Sequence, residues 1–161
     1  MTFSIGPVAS FIGPYLARAH VSVDPFARNS KLATYRNDLD PTTTAEFHVD
    51  AAQFLDGLTN RGIRADLVFF DPPYSPRQMK ECYETTGLVP TTADTQNAAL
   101  YARVRHAIER NVTDDAVVLT FGWNSTGMGR HWETLEILLV CHGSAHNDTI
   151  CVAQRKPLRL L

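Results

Sequence analysis

At 161 residues, 44% apolar and 20% charged, the chain has the makeup of one ordinary globular domain, with a fair core and no room for a second sizeable one. A net charge of −2 argues against a protein that grips nucleic acid by positive charge alone, since phosphate contacts supply much of such affinity. No apolar run approaches the roughly 20 residues of a membrane span, and Met1 to Leu16 lacks the leading basic residues of a secretory signal.

Phe3 to Ala19 has helical spacing, which Gly6-Pro7 and Gly13-Pro14 are expected to break into short pieces. His20 to Phe26 reads as the first strand, Tyr35 to Leu39 as a weak second and Glu46 to Val49 as a short third. Asp50 to Leu58 reads as a helix capped by Asp50. Leu67 to Phe70 is the fourth strand and the most apolar. Pro76 to Glu84 reads as a helical turn and Gly87 to Thr95 as a polar loop. Asp94 to Asn111 then makes the longest helix, with Leu100, Val104 and Ile108 on one stripe. Ala116 to Phe121 is the fifth strand, and Leu135 to His142 with Thr149 to Gln154 form an antiparallel pair. Such a procession is α/β with a mostly parallel sheet. With no repeat, linker or low-complexity tract, residues 1–161 are expected to form a single domain without a separate target-recognition domain.

Chemistry concentrates where the fourth strand ends, at Asp71-Pro72-Pro73-Tyr74. Open α/β sheets bind ligands outside the carboxyl ends of their strands. The corner suits methylation of an amino group conjugated to a flat ring, whose lone pair is delocalised and poorly nucleophilic. The Asp71 carboxylate can accept one N–H, and a backbone carbonyl of the Pro72-Pro73 pair can accept the other. Both bonds draw the nitrogen towards a pyramidal geometry and free its lone pair. Proline fixes φ, so the acceptor is in place before substrate arrives. Tyr74 can stack on the ring.

The tetrapeptide resembles the signature of class I S-adenosylmethionine-dependent amino-methyltransferases. Asp in first place is more like their adenine-directed members, the cytosine-directed ones more often starting with Ser. The run 71–78, Gly122-Trp123-Asn124-Ser125 and the turn 143–148 are together similar to small phage-type DNA adenine methylases. That resemblance implies a Rossmann-like, doubly wound, mostly parallel sheet ending in an antiparallel hairpin. It implies S-adenosylmethionine as cofactor, and transfer to the 6-amino group of adenine in DNA, with Asp71, Pro72, Pro73 and Tyr74 as the amine pocket. A target base inside a duplex must be flipped out or single-stranded.

The same resemblance places the cofactor. Asp24, Pro25, Phe26 and Ala27 match the opening of the family's glycine-rich first turn, but Arg28 and Asn29 stand where its glycines belong. Only a short loop separates the first two strands, so the usual helix between them must be missing. Asp38 is placed like the acid that holds ribose hydroxyls, and would serve equally as a turn acid. Asp50, with Ala51, is placed like the acceptor for the cofactor's adenine amine, and would serve equally as a helix cap. Phe26, Phe69 and Phe70 either border the cofactor or belong to the core.

Ser75, Arg77, Trp123, Asn124, His146 and Asn147 are the candidates for contact with the target. Arg77 and Lys80, Arg28 with Lys31 and Arg36, and Arg130 with His131 supply local positive charge to a chain that is otherwise slightly acidic. His142 and His146 flank a Gly-Ser turn and nothing completes a tetrahedral set, so no metal is expected. The three cysteines, Cys82, Cys141 and Cys151, form no paired motif, which suits reduced thiols in the cytoplasm of a bacterial, archaeal or phage-infected cell. DNA is the expected partner, and a homodimer or helper subunit would enlarge the contact surface. RNA, an amine on cytosine or guanine, or a non-catalytic methyltransferase-like binding subunit stay open as alternatives.

Overall fold

The computed structural model describes residues 2–73, 97–143 and 148–158. The sheet consists of β1 (Ser22–Asp24), β2 (Tyr35–Arg36), β3 (Ala65–Phe70), β4 (Val112–Gly122), β5 (Glu133–Val140) and β6 (Thr149–Arg155), in the order β2-β1-β3-β4-β6-β5. The pairs β1–β2, β1–β3 and β3–β4 are parallel, whereas β6 runs antiparallel to both β4 and β5. Around the sheet lie a 3₁₀ turn (Thr2–Ser4), α1 (Gly6–Leu16), α2 (Ala51–Asn60) and α3 (Asn97–Asn111).

The period of two in β3 divides the core into two layers. Leu67 and Phe69 face one side and pack with Val8, Phe11 and Ile12 of α1. Val68 and Phe70 face the other and pack with Phe54, Leu55 and Leu58 of α2 and Val104 and Ile108 of α3. A strand buried on both faces reads as a near-continuous apolar run, as Leu67 to Phe70 does; Asp66, near the strand's start, accepts the N–H groups of His20 and Val21. Each fully buried Leu or Phe contributes about 1.5–3 kcal/mol, so β3 is the anchor of the domain and a sturdy platform for the Asp71 corner at its end. The stripe Leu100, Val104, Ile108 is buried as expected.

Several local expectations are corrected. The Gly13-Pro14 pair does not break α1, which continues through Pro14 to Leu16. Pro14 removes one i→i−4 bond, but it falls in the last turn, so little helix lies beyond it, and Val8, Phe11 and Ile12 hold the helix down at i, i+3, i+4. The first strand is shorter than expected and the fifth longer. The expected third strand, Glu46 to Val49, is reduced to a single parallel bridge between Asn37 and Phe47. Its pairing is taken over by the buried Asn37 side chain, whose Nδ2 donates to Pro25 O (3.1 Å) and Val49 O (2.9 Å). Asn37 Oδ1 accepts Val49 N–H (3.1 Å). One amide thus satisfies three backbone groups that a strand ladder would otherwise pair.

No helix joins β1 to β2, as their spacing required. The loop 25–34 is held instead by Ser22 and Thr34, whose hydroxyls lie 3.2 Å apart and bond each other's backbone N–H. No helix among the described residues is long and apolar enough to cross a membrane.

Candidate active site

Three carboxylates gather at the carboxyl ends of β1, β2 and β3. Asp24 closes β1 and is 1% exposed. Its Oδ1 accepts Phe26 N–H at 3.0 Å, while Oδ2 has no partner. Burial pushes the Asp24 carboxyl well above its ordinary range; the Phe26 N–H opposes this, and the charges of Asp71 and Asp38 add to it. An orphaned oxygen in so dry a place is costly unless something else binds there.

Asp71 comes directly after β3 and is half-buried. Burial raises its pKa to about 7, against the pull of a hydrogen bond from the Thr2 hydroxyl and of the Arg28 guanidinium. The Thr2 contact is arranged by its neighbour. Phe3 packs its ring on Phe69 (5.4 Å between centroids) and Phe121 (4.9 Å), and this seats the amino-terminal turn beside the corner. Pro72 is buried and Pro73 half-buried. The Tyr101 hydroxyl, from α3, donates to Pro73 O at 3.4 Å. Burial first, then the nearby Asp71 charge, pushes Tyr101 up to about 12, so its hydroxyl keeps the proton it donates at neutral pH. Its ring meets Phe70 edge-on at 5.9 Å, and Phe70 meets Phe26 at 6.3 Å. An aromatic row therefore runs under the edge from α3 to the first loop. Phe26 belongs to the core on that side. On β6, Cys151 is pushed up to about 11 by burial and by Asp71, so its thiol stays protonated.

The other sequence candidates divide. Asp38 accepts Arg28 N–H on Oδ2 (2.9 Å) and Asp40 N–H on Oδ1 (3.0 Å); burial raises its pKa, and those two bonds restrain the rise. Each oxygen keeps a second lone pair. Asp50 is an N-cap, with Oδ1 accepting Ala52 and Gln53 N–H, and its Oδ2 pairs with Arg103 at 2.7 Å. Ala51 begins α2 and is buried, as are Pro25 and Ala27 in the first loop. Trp123 leaves β4 on the same edge, 50% exposed. Asn124 next to it is exposed and turns its Oδ1 to Thr126 N–H at 3.0 Å. Tyr74, Ser75, Arg77, His146 and Asn147 lie outside the described residues. His142, at the root of the hairpin turn, is held by Thr149 Oγ1 (2.9 Å) and Asp148 Oδ1 (3.0 Å). Thr2 and Tyr101 have no local sequence signal: each reaches the corner only through tertiary packing.

A cleft of about 720 Å³ opens at the opposite, amino edge, lined by Arg64, His106, Glu109, Arg110 and Lys156 among others. Its cations are already held, Arg110 by Asp56 at 2.8 Å and Lys156 by the carbonyls of Glu109 and Val112. The carboxyl edge, with the orphaned Oδ2 of Asp24 and its raised acids, is the better candidate for chemistry. Among the described residues no group of three His, Cys, Asp or Glu could hold a metal ion.

Solved structures share this architecture. N-methyltransferase NodS from Bradyrhizobium japonicum WM9 aligns over 96% of this chain and 99% of its own, with a TM-score of 0.56 and 10% identity. The SAM-dependent methyltransferase from Agrobacterium tumefaciens aligns over 92% and 60%, with a TM-score of 0.56 and 13% identity. TrmN from Thermus thermophilus aligns over 92% and 47%, with a TM-score of 0.58 and 14% identity. At such identities the likeness is one of fold, and the fold is that of the class I methyltransferases. No family model and no curated protein matches the sequence.

Proposed function

We propose that the chain is an S-adenosylmethionine-dependent amino-methyltransferase that modifies the 6-amino group of adenine in DNA. The observation that carries this is Asp71, half-buried at the carboxyl end of a strand buried on both faces, with its pKa raised to about 7 and a proline pair beside it. The residues present fit the cofactor. Two acids besides Asp71, Asp24 with its dry orphaned oxygen and the partly buried Asp38, suit a ligand that carries positive charge on sulfur and on an amine. When bound, S-adenosylmethionine supplies an electrophilic methyl on a sulfonium. Asp24 and the first loop would hold its methionine part, Asp38 its ribose, and Asp50 with Ala51 its adenine.

Ionised Asp71 accepts one N–H of the target amine. With Tyr101 on the Pro73 carbonyl, the Pro72 carbonyl accepts the other. Tyr101 and the aromatic row stiffen this acceptor pair, which is the positional gain an enzyme needs. As the C–N bond forms and the methyl's C–S bond breaks, its electron pair staying on sulfur as a neutral thioether, the nitrogen becomes acidic and its proton passes to Asp71 or to water. A carboxylate with a pKa near 7 can take a proton at neutral pH and release it again. Trp123, half-exposed beside the corner, is suited to stack on a base held outside the helix.

A non-catalytic binding subunit is the alternative favoured by one specific observation, the glycine-free first loop with its backbone N–H groups turned inward. Calorimetry with S-adenosylmethionine separates the two. Binding, followed by transfer of labelled methyl to DNA and not to RNA, supports the enzyme. A folded protein that does not bind the cofactor supports the subunit.

A further inference from the structure

Most backbone N–H groups of the first loop are already engaged within the protein. Where a glycine turn would leave N–H groups free to approach a ligand, this loop uses its own. Phe26 N–H goes to Asp24 Oδ1, Ala27 N–H to Asn37 O at 2.8 Å, Arg28 N–H to Asp38 Oδ2, and Ser30 N–H to Ala27 O at 2.8 Å. Asn29 turns its side chain away to Thr44 N–H. A bound S-adenosylmethionine would nonetheless bring a carboxylate to the edge that carries Asp24, Asp38 and Asp71, whose ionised forms would repel it.

One residue answers both problems. Arg28 occupies the place of a glycine and adopts a glycine-like φ of 49°, a conformation uncommon for an L side chain. The Asp38 bond to its N–H fixes that backbone. The side chain is exposed at the edge, within electrostatic reach of Asp38, Asp40 and Asp71. Arg36, the next arginine along the chain, is already tied to Glu46 at 2.6 Å. We propose that the Arg28 guanidinium receives the carboxylate of the cofactor's methionine part, replacing by charge what a glycine turn does with backbone N–H groups. The inference rests on S-adenosylmethionine being the cofactor. A guanidinium offers two parallel donors that match a carboxylate, which an ammonium does not.

Titration calorimetry on the full chain tests this with two ligands, S-adenosylmethionine and its decarboxylated form, which keeps both positive charges and lacks only the carboxylate. Arg28→Gly should weaken S-adenosylmethionine binding about tenfold or more and leave the decarboxylated form unchanged. Its melting temperature should hold or rise, because glycine adopts the required φ without strain. Arg28→Lys should fall between, and Lys31→Ala, a neighbouring exposed cation, should bind like the parent. If Arg28→Gly binds S-adenosylmethionine equally well or better, or loses both ligands alike, Arg28 does not hold the carboxylate. A parent protein that binds neither ligand overturns the cofactor assignment itself.

Discussion

The loops after β1 and β3 lie side by side on one sheet edge, and they are built in opposite ways. The β3 corner hangs from a strand buried on both faces, and it delivers a half-buried acid whose ionised form is disfavoured. The β1 loop has a strand of three residues behind it, Ser22–Asp24, and is stitched to itself by N–H bonds and by the Asn37 amide. Strong burial behind a corner lets it hold an uncomfortable charge, since the core offsets that penalty. A loop without such backing has to satisfy its own backbone, and it reaches a ligand through side chains. On the proposed function the β3 corner carries the chemistry, and the β1 loop holds the cofactor.

The sharpest way to break that contrast is Asp71→Ala. Methyl transfer should fall about 10²–10⁴-fold, as for loss of a positioned acceptor and base, while calorimetric affinity for the cofactor changes little. Equal loss of both would place Asp71 in the cofactor wall. Next in size, Asn37→Ala should lower stability by about 2–4 kcal/mol in urea denaturation, because it strands buried backbone groups. Cofactor affinity should fall with it, since the first loop then loses its clip. A stable variant with full affinity would show that the loop does not depend on Asn37.

A third test uses pH. Transfer should rise as pH increases through about 7, where Asp71 ionises. Stability should move the other way. The folded pKa lies above the ordinary carboxylate value of 3.8, so between roughly pH 4 and 7 the native state holds a proton that the unfolded chain has released. This group's contribution to stability therefore diminishes as pH rises through that window. Asp71→Asn should accordingly melt higher than the parent at pH 8, and its advantage should shrink towards pH 4. The smallest effect belongs to Thr2→Val, which removes the hydroxyl donor to Asp71. The midpoint of the activity profile should move alkaline by up to about one unit, and Thr2→Ser should restore it. An unmoved profile would mean that Thr2 only anchors the amino-terminal turn.

What could be read from the sequence was local. The apolar run into Asp71, the Asp50 cap, the Leu100-Val104-Ile108 stripe and the helix-free first crossover all arise from short-range pattern, and all are present. The strand expected at Glu46 to Val49 failed because a side chain, Asn37, took over its hydrogen bonds, which no periodicity reveals. Gly13-Pro14 read as a break because proline's local effect was weighed without the burial of Phe11 and Ile12. At the candidate site, Asp24, Asp38 and Asp71 could be named from their positions after strands. Thr2 and Tyr101 could not, because rings far apart in the chain bring them there. Arg28 was visible only as a departure from glycine, and its meaning needed the bonded state of the loop around it.

Amine methylation at the β3 corner is tested most directly by digesting DNA to nucleosides after incubation with the protein and deuteromethyl S-adenosylmethionine, then weighing the products by mass spectrometry. The parent chain should yield deuteromethyl label on the 6-amino group of deoxyadenosine, and Asp71→Ala should yield none above background. Label on no nucleoside at all, or equal label from the Asp71→Ala variant, would contradict the assignment.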